Sequence, residues 1–156
     1  MSVLKMIRER YNIDPARIYL MGHSMGGSGT YHLGQKYNDV WAGLAPLAGA
    51  GGIPTPEAAQ RYRAVPMLIM HGAKDSIVSP ITSRRSAMNL QAVGAQHLFL
   101  EFPGKDHEFW IRRGAENMEK VFMFFNTVSK TTNLGPVTPE MVVPPPRPPA
   151  AAPPRP

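Results

Sequence analysis

The run Gly22-His23-Ser24-Met25-Gly26 sets one serine between glycines, after an apolar stretch and before a series of small residues. A serine hydroxyl is a poor nucleophile at neutral pH. It attacks a carbonyl only when a base takes its proton and a carboxylate orients that base. A tight strand-to-helix turn also forces the nucleophile into a strained conformation, so its neighbours must be small. Such a turn lifts the Ser24 Oγ clear of a sheet. It aims the backbone N–H of Met25, and the helix terminus behind it, at the oxyanion of an acyl-transfer reaction. Gly27 and Gly29 extend the small-residue stretch and are expected to let the helix pack close to the strand.

Base and acid follow in chain order. Asp75 lies in His-Gly-Ala-Lys-Asp-Ser-Ile-Val, after the apolar run Pro-Met-Leu-Ile-Met, and His107 lies in Pro-Gly-Lys-Asp-His-Glu-Phe-Trp, after His-Leu-Phe-Leu-Glu-Phe. Serine, then carboxylate, then histidine is one of the orders in which this constellation recurs. All three residues fall just beyond the C-terminal ends of expected strands, the edge at which open parallel sheets build their sites. Plainer readings stand beside these. Asp75 is also a candidate helix N-cap or turn residue, and His107 a candidate surface histidine. Asp106 competes as the acid, but side chains of adjacent loop residues usually diverge. His23 occupies the variable position of the turn. His71 ends a strand, where a loop hydrogen bond is its expected role, while His32 lies on the following helix and His97 begins a strand. Trp110 and Trp41 are candidates for a substrate-pocket wall, against a reading of both as core aromatics.

The elements that must position these residues alternate between helix and strand. A first helix, carried by Val3, Leu4 and Ile7, ends at Asn12 and Asp14-Pro15. Arg17 to Met21 reads as a short buried strand, and Thr30 to Tyr37 as a helix. Ala42 to Leu47 reads as a strand, followed by a loop that Pro54 and Pro56 keep irregular. Pro66 to Met70 is the clearest buried strand. Ile81 to Val93 reads as a helix with Ile81, Met88, Leu90 and Val93 inward and Gly94 capping its end. His97 to Phe102 is a further strand. Ala115 to Val128 reads as a helix with Met118, Val121, Phe122 and Phe125 on one face. This alternation predicts an α/β fold, a mostly parallel sheet of about four strands with helices on both faces.

Composition narrows the function classes. The 156 residues imply one domain, and the absence of cysteine excludes disulfides, thiolate catalysis and cysteine-based zinc sites. No apolar run is long enough to span a membrane, and the first residues lack the apolar core of a signal peptide. The net charge of +6 divides into +4 before Lys130 and +2 from there on. Its arginines come in scattered pairs without interleaved aromatics, which argues against nucleic-acid binding. The chain divides into a folded unit, 1–130, and a proline-dominated tail, 131–156, expected to be extended with polyproline II character. That tail reads as a spacer, with its Pro-Pro-Pro-Arg-Pro-Pro run as a candidate ligand for an SH3-like groove. No metal or cofactor is implied.

With these residues in view, the chain resembles the α/β-hydrolases. The stretch from Asp14 to Gly52 resembles the nucleophile turn of prolyl-oligopeptidase-like and polyhydroxybutyrate depolymerase-like or feruloyl-esterase-like enzymes. Pro66 to Pro80 looks like their acid loop, and Phe102 to Trp110 like their histidine loop. The resemblance covers about Leu4 to Val128 and implies a serine hydrolase of carboxylic esters, with Ser24, His107 and Asp75 as its triad and Met25 supplying an oxyanion N–H. A serine peptidase of the prolyl-oligopeptidase type, and a catalytically inactive fragment or binding module, are the alternatives. A complete member carries further strands ahead of the first helix, and these supply a second oxyanion N–H. The resemblance therefore implies the C-terminal half of a longer hydrolase. In a chain without those strands, Arg17–Met21 becomes an exposed sheet edge, and completion of the sheet by a homodimer through that edge is the alternative to a longer hydrolase.

Overall fold

The computed structural model describes residues 2–109 and 114–131. Four strands, β1 (Tyr19–His23), β2 (Gly43–Leu47), β3 (Met67–Gly72) and β4 (His97–Phe102), stand side by side in that order. Every pairing is parallel. The helices are α1 (Ser2–Arg10), α2 (Met25–Lys36), α3 (Pro56–Ala59), α4 (Ile81–Ala92) and α5 (Gly114–Thr127). This is the α/β architecture expected from the alternation of elements.

Because the strands step across the sheet in one direction, right-handed crossovers put α2, α3 and α4 on the same face. Tyr31, Ala59, Ala87 and Leu90 from those helices meet Leu44, Met67 and Ile69 there. On the other face, Val121, Phe124 and Phe125 of α5 meet Ala45, Leu47, Leu68 and Met70. Side chains alternate across a strand, so Met67 and Ile69 serve one core while Leu68 and Met70 serve the other. A strand covered on both sides has no polar face to show, and all six residues of β3 are buried.

Several boundaries and faces differ from expectation. β1 begins at Tyr19 rather than Arg17 and continues through Gly22 and His23. α2 begins at Met25, well before Thr30. Glycine is a poor helix former, so Met25 to Gly29 does not read as helix. Tertiary contact overrides that propensity at Gly27, where an added Cβ would lie 2.7 Å from the Leu47 carbonyl oxygen and 2.8 Å from the Gly49 Cα. The packing role expected of Gly29 is absent, because nothing lies within 4 Å of a Cβ built there. The loop around Pro56 is not irregular. Thr55 caps α3, with its side chain accepting the Ala58 N–H, and Pro56 takes the first helical position, where its missing N–H costs nothing.

The inward face of α4 is also corrected. Ile81 and Met88 are exposed, while Ser83, Ser86, Ala87 and Leu90 are buried. The two serines tolerate burial because each hydroxyl is bonded. Ser86 Oγ accepts the Ile53 N–H at 2.8 Å and donates to the Thr82 carbonyl at 2.8 Å, and Ser83 Oγ lies 2.7 Å from His71 Nδ1. On α5 the buried stripe runs through Asn117, Val121 and Phe124, joined by Phe125, and leaves Phe122 57% exposed. α1 buries none of its residues. Among the described residues, no helix is long and apolar enough to cross a membrane. Trp110 and the Pro-rich tail from residue 132 onward lie outside the described residues.

Candidate active site

Ser24 follows directly on β1 and opens α2 at φ 57°, ψ −115°. The strained backbone is held from both sides. The Ser24 N–H donates to the Leu47 carbonyl at 2.9 Å, continuing the β1–β2 ladder. Gly22 lets the chain double back, since a Cβ there would lie 2.4 Å from the backbone of Gly26. Serine at a helix N-cap ordinarily accepts a hydrogen bond from the first turn. Here the side chain makes no such bond, and its Oγ sits 2.8 Å from His107 Nε2. The first N–H groups of α2, beginning with Met25, have no intrahelical acceptor and receive no cap from Ser24. They form an anion-favouring terminus beside the hydroxyl.

Asp75 and His107 come from the loops after β3 and β4. These loops touch through their backbones: the Ala73 N–H donates to the Phe102 carbonyl at 3.0 Å, and the Lys74 N–H to the Lys105 carbonyl at 2.8 Å. Gly72 makes that approach possible, because a Cβ at this position would lie 2.5 Å from the Lys105 oxygen. The result places His107 Nδ1 2.7 Å from Asp75 Oδ2, a carboxylate whose side chain is fully buried. The other oxygen, Oδ1, accepts from the Ile77 N–H at 2.9 Å and the Val78 N–H at 2.8 Å. Burial pushes the Asp75 carboxyl upward, but the N–H groups of Val78, His107 and Ile77 outweigh it, and the acid is held below the usual aspartate range. With the Nδ1 proton on the carboxylate side, Nε2 is the lone pair that can take the Ser24 proton.

Two further histidines touch this constellation, and sequence reasoning gave neither a place in it. His23 donates from Nε2 to the His107 carbonyl at 3.0 Å, and the two rings lie 4.8 Å apart between centroids. Burial, joined by the neighbouring His107, lowers the His23 pKa below its ordinary value against the opposing pull of that carbonyl. His71 lies fully buried beneath Asp75, with Nε2 3.2 Å from Oδ2. The loop hydrogen bond expected of His71 is present, from Nε2 to the Val78 carbonyl at 3.0 Å, but its approach to the acid was not foreseen, and no local signal marks His23, whose partner lies 84 residues away.

Trp41 does not line this site. It precedes β2, at the end of the sheet opposite Ser24, packs in the core with Tyr31 and Leu44, and donates its indole N–H to the Leu33 carbonyl at 3.1 Å. A parallel sheet has its strand starts on one edge and its strand ends on the other, so a residue before β2 is remote from one after β1. Met25 is 87% exposed, and its backbone N–H stands in the uncapped first turn of α2 beside Ser24. Asp106 is not the histidine's partner, since Asp75 holds Nδ1. A groove of about 600 Å³ between α1 and Val40, lined also by Lys5, Arg8 and Glu9, lies away from Ser24.

Residues 3–129 match the phospholipase/carboxylesterase family. By sequence the chain is similar to a bifunctional acetylxylan esterase/xylanase of Neocallimastix patriciarum, 34% identical over half of this chain and 11% of that protein. It is also similar to cutinase 2 of Thermobifida cellulosilytica, 33% identical over 63% of this chain and 36% of that one. In structure it is similar to a thermostable esterase, with a TM-score of 0.72 and 27% identity over 82% of this chain and 35% of the other. It resembles an acylaminoacyl peptidase of Pyrococcus horikoshii with the same TM-score at 18% identity, over 85% of this chain and 27% of the other. The chain thus spans about a tenth to about a third of the curated relatives it matches. The fold, the serine at the strand-to-helix turn and the match over residues 3–129 place the chain in the phospholipase/carboxylesterase family of α/β-hydrolases.

Proposed function

We propose that the chain carries the catalytic machinery of a serine esterase, with a carboxylic ester as its substrate. The observation that carries this reading is the unbroken line from Ser24 Oγ through the His107 ring to Asp75, with links of 2.8 Å and 2.7 Å. His107 Nε2 takes the hydroxyl proton as Ser24 Oγ attacks the ester carbonyl carbon. Asp75 keeps the imidazole in the correct tautomer and stabilises the imidazolium. The Met25 N–H, at the positive end of α2, donates to the oxyanion. Collapse breaks the bond from carbon to the leaving alcohol, which takes the proton from His107 and departs. Water, giving its proton to the same nitrogen, then releases the acid and restores Ser24.

Amide cleavage uses the same groups. The likeness to the acylaminoacyl peptidase rests at 18% identity and carries the fold alone, whereas the sequence matches above 30% are to a bifunctional acetylxylan esterase/xylanase and a cutinase, and the family matched over residues 3–129 is that of phospholipases and carboxylesterases. Treatment of the purified chain with a fluorophosphonate, and location of the adduct by mass spectrometry, tests the reading without knowledge of the substrate. The expected result is labelling at Ser24 that is lost in His107→Ala. Folded protein that takes no label would overturn it and leave a non-catalytic binding module.

A further inference from the structure

Asp75 is gripped from below by a second imidazole. His71, on β3, is fully buried, and a buried polar ring is costly unless both nitrogens are engaged. Its Nε2 donates to the Val78 carbonyl at 3.0 Å and lies 3.2 Å from Asp75 Oδ2. With that proton facing two acceptors, Nδ1 of the neutral ring is itself an acceptor. Opposite it, at 2.7 Å, is the buried Ser83 hydroxyl of α4. Val78 closes a small ring of bonds: its carbonyl takes the His71 proton, while its N–H donates to Asp75 Oδ1 at 2.8 Å. The loop so held is otherwise exposed, with Ile77 turned out to solvent.

We propose that His71 is a positioning residue for the acid of the triad, clamping the Asp75–Val78 turn so that Oδ2 stays aimed at His107 Nδ1. Ser83 in turn anchors the His71 ring at Nδ1, so α4 is coupled to the nucleophile through Ser83, His71, Asp75 and His107. The inference rests on the triad reading above. It also accounts for the burial of Ser83 on the inner face of α4.

The test uses the full chain and three variants. His71→Leu fills much of the same volume without a donor. His71→Gln restores an N–H at the reach of Nε2 but nothing toward Ser83. Ser83→Ala removes only the hydroxyl. Two readouts are taken: the rate of Ser24 labelling by the fluorophosphonate, and the low-field proton resonance of the His107 Nδ1–H, which needs no catalysis. His71→Leu is expected to slow labelling by about tenfold or more, the scale of one lost bond to a charged group, and to broaden or abolish the resonance. His71→Gln is expected to return both to within about threefold of the parent. A filler role predicts the reverse, with leucine tolerated and glutamine no better. If His71→Leu fails to fold, Ser83→Ala decides: a slower rate and a shifted resonance support the proposal, and parental values overturn it. An unlabelled but folded parent would refute the hydrolase reading, while the resonance would still report whether His71 holds the acid.

Discussion

Gly72→Ala is the sharpest single perturbation of this site. The glycine φ lies outside the left-handed region, so alanine meets no backbone penalty and the effect is purely steric. The new methyl would lie 2.5 Å from the Lys105 carbonyl oxygen and 2.8 Å from that of Asp106, whereas real Cβ contacts essentially never fall below 3.0 Å. Both obstacles are backbone atoms, which cannot rotate away as a flexible side chain would. The histidine loop must therefore retreat by about half an ångström or more from the acid loop. Retreat strains the bond from Lys74 N–H to Lys105, now 2.8 Å. It also draws His107, two residues further on, away from Asp75 and Ser24. Overpacking of this kind costs about 1–3 kcal/mol of stability, and a misplacement approaching 1 Å lowers turnover by about a hundredfold. The expected outcome is a lower urea midpoint together with fluorophosphonate labelling of Ser24 slowed by about ten- to a hundredfold. A folded Gly72→Ala protein with parental midpoint and labelling rate would refute the claim that this close approach positions the histidine.

Asp75→Asn should leave the fold intact and reduce ester turnover by about a thousand- to ten-thousandfold, because the amide favours the wrong imidazole tautomer. Since the Asp75 carboxyl is held below 3.8 in the folded chain, its contribution to stability is present above that value and is lost as pH falls through the folded pKa. The variant's urea midpoint should accordingly fall less steeply in that acid range. His23, lowered from 6.5 chiefly by burial, favours the neutral ring in the folded state. Its contribution is full above 6.5 and declines as pH falls below it toward the folded pKa, so His23→Gln should flatten the fall of the midpoint below about pH 6.5. Gly27→Ala, driven into the Leu47 and Gly49 backbones, should cost about 1–3 kcal/mol. Gly29→Ala, in open space on the same helix, should stabilise by about 0.5–1 kcal/mol in thermal or urea unfolding.

Much of this protein was legible from local pattern. Buried parallel strands advertise themselves as short apolar runs, and Met67 to Met70 is covered on both faces for the reason its composition suggests. Because such strands deliver their C-terminal ends to one edge of the sheet, placing Ser24, Asp75 and His107 just after three of them was enough to bring them into one neighbourhood. Helix ends with ordinary chemistry were also readable, as at Gly94, which takes the left-handed conformation expected of a cap.

What escaped the sequence depends on partners far along the chain. The start of α2 was hidden because its glycines argue against helix locally, yet Gly27 is required by the backbone of Gly49. The inner face of α4 was misread because hydropathy prefers Ile81 and Met88 to Ser83 and Ser86. Buried hydroxyls become favourable once His71 and the Ile53 N–H are there to bond them. The sequence by itself determined the fold class and the order of the strands along the chain, and it singled out Ser24, Asp75 and His107 as the candidate nucleophile, acid and base, since all of these follow from periodicity, turn chemistry and residue type. Only the tertiary structure decided that His23 reaches the His107 carbonyl, that His71 lies against the acid and that Gly72 lets two loops touch. Those outcomes turn on distances of a few tenths of an ångström between residues up to 84 positions apart, and steric contact at that range leaves no trace in local pattern.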